Sequence, residues 1–331
     1  MSNDPLADFM SIAPSVLEDS KTFYTGSSFC SMNKMSTARV ICPLYNFSVS
    51  MLIRTNSQMS RAEIASLHEA RRRDTVEGVE VYDGVKIKYI SKQDYEALEH
   101  GFWLLPPDTK VRSNMFVLEK DTSTVEDQDF QLENLMANIV FALRLLKKSY
   151  VSGNAVLYLQ THSGEPHLPV IEWSWERQRK LETFGAMSYV FKLEELPELK
   201  ELIQKVQNLD LVKRKDLKLA RERFERAYEE DDLEDQLIDI MIAFESLFLK
   251  GEKGNVPHGR TIAVGCSCLL GKNEEQRVEI ESFLTEAYRI RNCVVHGSEY
   301  GKPTVGKEYE MSEFVSRIED YLRESLKRLL D

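Results

Sequence analysis

Cysteine is scarce in this chain. The five present, Cys30, Cys42, Cys266, Cys268 and Cys293, are odd in number, and their spacings suit neither a zinc site nor a disulfide framework. Cys266 and Cys268 lie in an apolar stretch and read as small buried thiols, which fits a reducing compartment. Long hydrophobic runs are missing as well. The most apolar segments meet a charge within about 12 residues, too short for a membrane span. The N-terminus, with Asp4, Asp8, Glu18 and Asp19, lacks the basic and apolar regions of a secretory signal peptide, so a cytoplasmic protein with no membrane partner is expected. There is no excess of positive charge. Lys plus Arg number 43 against 54 Asp plus Glu, a net charge of -11, which argues against broad capture of duplex DNA or anionic membrane but allows a local basic site. Phosphate-cradling glycine loops, zinc-protease histidine pairs and nucleophile elbows are all missing. No cofactor and no metal are expected.

What is present is a globular composition, 42% hydrophobic and 29% charged. The first 30 residues or so are rich in Ser, Asn and Asp and read as a loosely ordered lead-in. Ala38 to Ile53 is apolar and β-branched, interrupted by Pro43, and reads as one or two strands. Ser60 to Arg73 reads as a helix with Ser60 and Glu63 as a capping box. Alternation around Asp83-Gly84 is the strongest hairpin signal. Phe102 to Leu105 and Met115 to Leu118 are short strand candidates. Phe130 to Tyr150 has helical period, and Ala155 to Gln160 and Val170 to Trp175 read as strands joined by a polar loop containing Pro166 and Pro169. Leu193 to Val206 closes this part as a helix. The expectation is a mixed α+β domain over residues 1–206 and an all-α bundle of five helices over residues 207–331, with no strand in the latter. The bundle helices are expected at Lys213 to Glu229, around Leu233 to Phe248, at His258 to Leu270, from Asn273 as cap to about His296, and around Phe314 to Leu329.

Two residues of the bundle sit oddly for simple packing. Ile238, Ile242, Glu245 and Leu249 form an apolar stripe with a carboxylate in it, and a partly buried carboxylate needs a partner. Leu284, Tyr288, Arg291 and Val295 form a similar stripe around a guanidinium, which suits a carboxylate, a phosphate or a subunit interface. Glu245 is therefore expected to pair with Arg260 or Arg291. His296 follows Arg291 by five positions, about 140° around an ideal helix, so the two do not share a face. Gly297 ends the helix, and an unwound last turn would let His296 swing towards Arg291. The negative end of the helix dipole favours a protonated imidazole there by roughly 0.3–1 kcal/mol.

The segment Tyr288-Arg289-Ile290-Arg291-Asn292-Cys293-Val294-Val295-His296-Gly297 resembles the arginine–polar–x3–histidine signature of HEPN domains, most nearly the Apea-like HEPN family. Asn292 stands where serine is commoner. Ala243-Phe244-Glu245-Ser246-Leu247 is similar to the family's Ala-Leu-Glu-x-Leu stretch, and Arg260-Thr261-Ile262-Ala263 to its Arg-x-x-Ala helix start. The resemblance covers about Val212 to Asp331 and leaves the N-terminal part unassigned. It implies a helical bundle that forms a homodimer with the two motifs facing each other, and a metal-independent endoribonuclease. Arg291 would stabilise the phosphorane, His296 would transfer a proton and Asn292 would orient the phosphate or the imidazole, with Glu245, Arg260 and Tyr288 supporting. The partners implied are RNA as substrate and a trigger or protein partner at the N-terminal domain. In prokaryotic members the role implied is antiviral defence against phage. The alternative is a non-catalytic dimeric adaptor that binds RNA or protein, in which Arg291 only pairs with Glu245 and His296 only caps carbonyls.

Other candidates are weaker. Arg71-Arg72-Arg73 reads as a solvated helix end. Trp173 and Trp175 share a strand face and read as packing rather than base stacking. His162, Glu165 and His167 read as a polar loop without a full metal-ligand set.

Overall fold

The computed structural model describes residues 37–50, 78–100, 115–122, 129–153, 156–162, 165–166, 189–251 and 257–330. All of them fall in one compact unit, Ser36–Asp331. The N-terminal region is α+β and the C-terminal region is helical. The first contains β1 (Thr37–Leu44), β2 (Phe47–Ser50), β3 (Val79–Tyr82), β4 (Val85–Tyr89), α1 (Lys92–His100), β5 (Phe116–Thr122), α2 (Asp129–Leu146), β6 (Leu157–His162), β7 (Glu165–Pro166) and β8 (Tyr189–Lys192). After a 3-10 turn at Leu193–Glu195 come α3 (Leu196–Asn208), α4 (Lys215–Glu229), α5 (Leu233–Phe248), α6 (His258–Leu270), α7 (Glu274–Val295), β9 (Thr304–Val305), β10 (Lys307–Glu308) and α8 (Met311–Leu329).

The main sheet has the order β3-β4-β5-β1-β6-β7, antiparallel throughout. Asp83 and Gly84 both have positive φ, 44° and 74°, as the two-residue turn between β3 and β4 requires. Alternation along the strands divides the side chains between two layers. Val40, Cys42, Leu44, Val85, Ile87, Phe116 and Leu118 join the core that includes Ile139 and Phe141 of α2. Ile41, Val117, Leu157 and Leu159 pack instead with Ile90 and Leu98 beside and within α1. Each side chain buried in this way contributes about 1.5–3 kcal/mol.

Several expectations change here. Pro43 does not interrupt β1: pairing with β6 stops at Ile41, so Pro43 lies where β1 has a neighbour on one side only. The break comes at Asn46, with φ 53°. β5 runs on to Thr122, and its Glu119, on the α1 side, pairs with Lys88 at 2.6 Å. Helix α1 went unforeseen, although Ser91 caps it by accepting from the Asp94 amide at 3.0 Å. Glu165 and Pro166 pair with the end of β6 rather than forming only a loop. β8 was also missed, and it pairs in parallel with β2. The helical region is not free of strands: Gly306, at φ 69°, turns the short β9–β10 hairpin. The expected elements at 60–73, 102–105 and 170–175, with Arg71-Arg72-Arg73, Trp173 and Trp175, and His167 and Cys30, lie outside the described residues.

The C-terminal helices pair as α4 with α5 and α6 with α7, and α8 packs across α5, α6 and α4. The aromatic core runs on from the sheet. Phe141 of α2 meets Phe224 of α4 edge-on at 6.0 Å, and Phe283 of α7 stacks on Phe314 of α8 at 5.8 Å. The buried Arg323 of α8 donates to the Arg144 carbonyl of α2 at 3.0 Å and to the Tyr228 hydroxyl of α4 at 2.8 Å, so a buried cation at this junction is satisfied. Cys266 is buried but Cys268 is exposed, since residues two apart on a helix point about 200° apart.

Candidate functional site

The site is built on α5 and α7, and both have clear starts. Asp232 accepts from the Glu234 amide at 2.8 Å, and Asn273 from the Gln276 amide at 2.9 Å. On α5, Ile238, Ile242, Glu245 and Leu249 form a half-buried stripe. On α7 the corresponding stripe runs from core to surface: Leu284 is buried, Tyr288 and Arg291 are half-buried, and Val295 is 50% exposed.

The two charged residues meet. Nη2 of Arg291 lies 3.3 Å from Oε1 of Glu245, with side chains 20% and 23% exposed. Nη1 donates to Oδ1 of Asn292 at 3.1 Å. The guanidinium carbon is 5.8 Å from the centre of the Tyr288 ring, within cation–π range. Nε of Arg291 is buried and has no acceptor among the described residues. Burial, and then the Glu245 carboxylate, push the Tyr288 phenol above its ordinary value, against the opposing pull of Arg291 and an Asn292 hydrogen bond. Tyr288 also packs against α6. A Cβ on Gly259, at the start of α6, would fall 2.7 Å from Cδ1 of the ring, so only glycine lets α6 approach this closely.

The end of α7 differs from the expectation of an unwound turn. The Gly297 amide bonds to the Val294 carbonyl at 3.1 Å and the Ser298 amide to the Cys293 carbonyl at 2.8 Å. With Gly297 at φ 65° this is a complete Schellman closure. The turn therefore stays wound, and His296 is its exposed C-cap residue. Its imidazole makes no hydrogen bond or ion pair among the described residues, and it does not reach Arg291. Arg260 is likewise not at Glu245. It is exposed at the first turn of α6 and pairs with no carboxylate among the described residues. Of the named site residues, Glu245, Tyr288, Arg291 and Asn292 thus form one cluster, and His296 and Arg260 lie outside it.

Two features went unread in the sequence. Beyond the motif, an open hollow of about 600 Å³ lies against the end of α7, lined in part by Val294, Gly297, Ser298, Tyr300 and Lys302. The Tyr300 hydroxyl, bonded to Glu234, ties this loop to the start of α5. Burial and then Glu234 push that phenol up to about 12. Glu286 is the second. It takes two hydrogen bonds from Arg289, at 2.7 and 2.8 Å, and one from the Thr304 amide at 3.2 Å, anchoring the small hairpin on α7. Among the described residues, no group of three or more His, Cys, Asp or Glu could hold a metal ion, and no helix is long and apolar enough to cross a membrane.

Chemically, Glu245 offsets much of the charge of Arg291 and fixes its direction. A guanidinium has five donors, so two terminal nitrogens engaged in this way leave donors for an incoming anion. Comparison of the chain with family profiles, with curated proteins and with solved structures finds no match.

Proposed function

We propose that the protein is a metal-independent RNA endonuclease of the HEPN type, acting as a homodimer, with Arg291, Asn292 and His296 in the reacting site. The observation that carries this reading is the arrangement of the last turns of α7. There a guanidinium is held in direction by Glu245 and Asn292, and an exposed imidazole without a partner among the described residues stands at the helix end.

In the reaction, the substrate's 2′-hydroxyl oxygen attacks the adjacent phosphorus. The P–O2′ bond forms, the P–O5′ bond breaks, and a cyclic phosphate results. The 2′-hydroxyl proton passes to solvent, Arg291 stabilises the charge that develops on the phosphoryl oxygens, and His296 protonates the leaving 5′-oxygen.

Arg291 and His296 leave a regular helix about 140° apart, so within one chain they diverge. A dimer that brings two α7 ends together places the Arg291 of one copy beside the imidazole of the other. The exposed Val295 and the half-buried Ile238, Ile242 and Leu249 suit such an interface. Two copies also concentrate positive charge locally in an acidic protein. The N-terminal α+β region then serves as sensor or substrate selector, in a cytoplasmic role such as antiviral defence.

Subunit mixing tests the arrangement. Arg291→Ala and His296→Ala, each inactive alone, regain activity when mixed and allowed to exchange, because the mixed dimer keeps one intact site. Absence of recovery in a demonstrated mixed dimer contradicts the shared site. The Glu245–Arg291 pair itself favours a second reading, a dimeric RNA- or protein-binding adaptor in which Arg291 is structural. In that case His296→Ala leaves binding intact and there is no cleavage to lose.

A further inference from the structure

Among the described residues two arginines, Arg260 and Arg328, make no side-chain hydrogen bond or ion pair, and Arg260 is the one that borders a hollow. In a chain with 54 acidic residues, most arginines of the described residues bond a carboxylate, and Arg144 and Arg277 bond backbone carbonyls. Arg260 bonds neither. It borders a cavity of about 420 Å³ whose other walls are Phe248, Pro257, Thr261, Val264 and Gly265. The cavity is a shallow, mainly apolar hollow, widely open to solvent. A Cβ on Gly265 would lie 2.7 Å from Cδ1 of Phe248, so the glycine lets that ring lie against α6 as the floor. Phe248 is in turn stacked on Phe244 at 6.1 Å, which fixes its plane. Val264, 39% exposed, forms the rim.

This cavity adjoins the Arg291 cluster by two routes. Phe248 lies three residues beyond Glu245 on α5, one turn along the same face. Gly259, next to Arg260, presses on the Tyr288 ring that lies beside Arg291. An aromatic floor, an apolar rim, a volume within the usual 300–1,000 Å³ range of ligand pockets and a guanidinium at the mouth that is unpaired among the described residues are complementary to a nucleotide.

We propose that this cavity is a nucleobase subsite, in which a base of the RNA lies on Phe248 under Val264 while Arg260 takes a phosphate. It rests on the ribonuclease reading above and adds to it the residues that choose the nucleotide flanking the cleaved bond. Arg260 is thereby a binding residue and not a partner of Glu245.

The test uses the full-length protein and measures binding by calorimetry and ligand-observed NMR. The probes are the four ribonucleoside 5′-monophosphates, the matching nucleosides, inorganic phosphate and a fluorescent apolar dye. At least one monophosphate binds the wild type. Val264→Trp, which fills the rim from an exposed position, abolishes that binding, and Arg260→Gln weakens it roughly tenfold, as does removal of the phosphate from the ligand. Failure of all four monophosphates to bind overturns the proposal, as does binding that both substitutions leave unchanged. Equal binding of nucleoside and nucleotide overturns the role of Arg260, and binding of the dye alone overturns the nucleotide assignment. Cleavage is scored separately. Loss of cleavage in His296→Ala, with KM for RNA unchanged in both pocket variants, removes the subsite and leaves the ribonuclease standing. Nucleotide binding by an enzyme that cleaves no RNA does the reverse.

Discussion

Glu245 and Arg291 are 46 positions apart in sequence, on two different helices, and their side chains meet at 3.3 Å with each about four-fifths withdrawn from water. The pair joins α5 to α7 and sets the direction of the guanidinium. Glu245→Ala leaves a largely buried cation without its counter-charge, and is expected to cost about 1–3 kcal/mol. The remaining exposure of Arg291 keeps the cost below that of a dry site. Chemical denaturation checks this, and an unchanged urea midpoint contradicts it.

Gly297 closes α7 in the left-handed region at φ 65°, and a Cβ there would meet nothing within 4 Å. Substitution therefore costs only backbone strain. Gly297→Ala should lose about 1–2 kcal/mol, and Gly297→Asn less, since asparagine tolerates this conformation. Equal losses, or none, would show that the Schellman closure does not hold the end of the helix.

Glu286 supplies a pH dependence with a definite sign. The Arg289 hydrogen bonds, and beyond them the Thr304 amide, hold its carboxyl below the ordinary glutamate value, against the opposing effect of burial. A depressed carboxylate stabilises the fold above its unfolded pKa, and the stabilisation is lost as pH falls through the lower folded pKa. Wild type should exceed Glu286→Gln in stability at neutral pH by up to about 1 kcal/mol, because Arg289 is half-exposed. That gap should close as pH falls from about 4.3 downward. Urea midpoints measured across pH 3–7 test this, and a gap of constant size contradicts it.

Val295 is half-exposed within the motif and should lie in the dimer interface. Sedimentation equilibrium at micromolar concentration should give a dimer for the wild type and a weaker one for Val295→Asp. A wild-type monomer would contradict the two-copy site.

The sequence carried the site more clearly than the loops that frame it. α7 could be bounded by reading Asn273 and Gly297, because caps are local chemistry. The Glu245–Arg291 pair was foreseeable because a charge in an apolar stripe needs a partner. The choice between Arg260 and Arg291 was not, because it depends on how α6 approaches α5 and α7, and Gly259 against Tyr288 decides that only in three dimensions. His296 was expected to swing inward, yet Gly297 closes the turn with two backbone hydrogen bonds and keeps it wound. β8, β9 and β10 are two to four residues long, too short for alternation to distinguish them from loop. Helix α1 was marked by Ser91-x-x-Asp94, a capping signal that its polar sequence concealed.

Cleavage of single-stranded RNA in the presence of EDTA tests the central claim most directly. The wild-type protein should cut and leave cyclic-phosphate ends, and should spare DNA, which lacks the 2′-hydroxyl. His296→Ala should fall roughly 10²–10⁴-fold in rate, and Arg291→Lys should also fail, since a point charge does not reproduce a bidentate fork on phosphate. Cleavage that survives both substitutions in folded dimers, or that stops on chelation, would contradict the account.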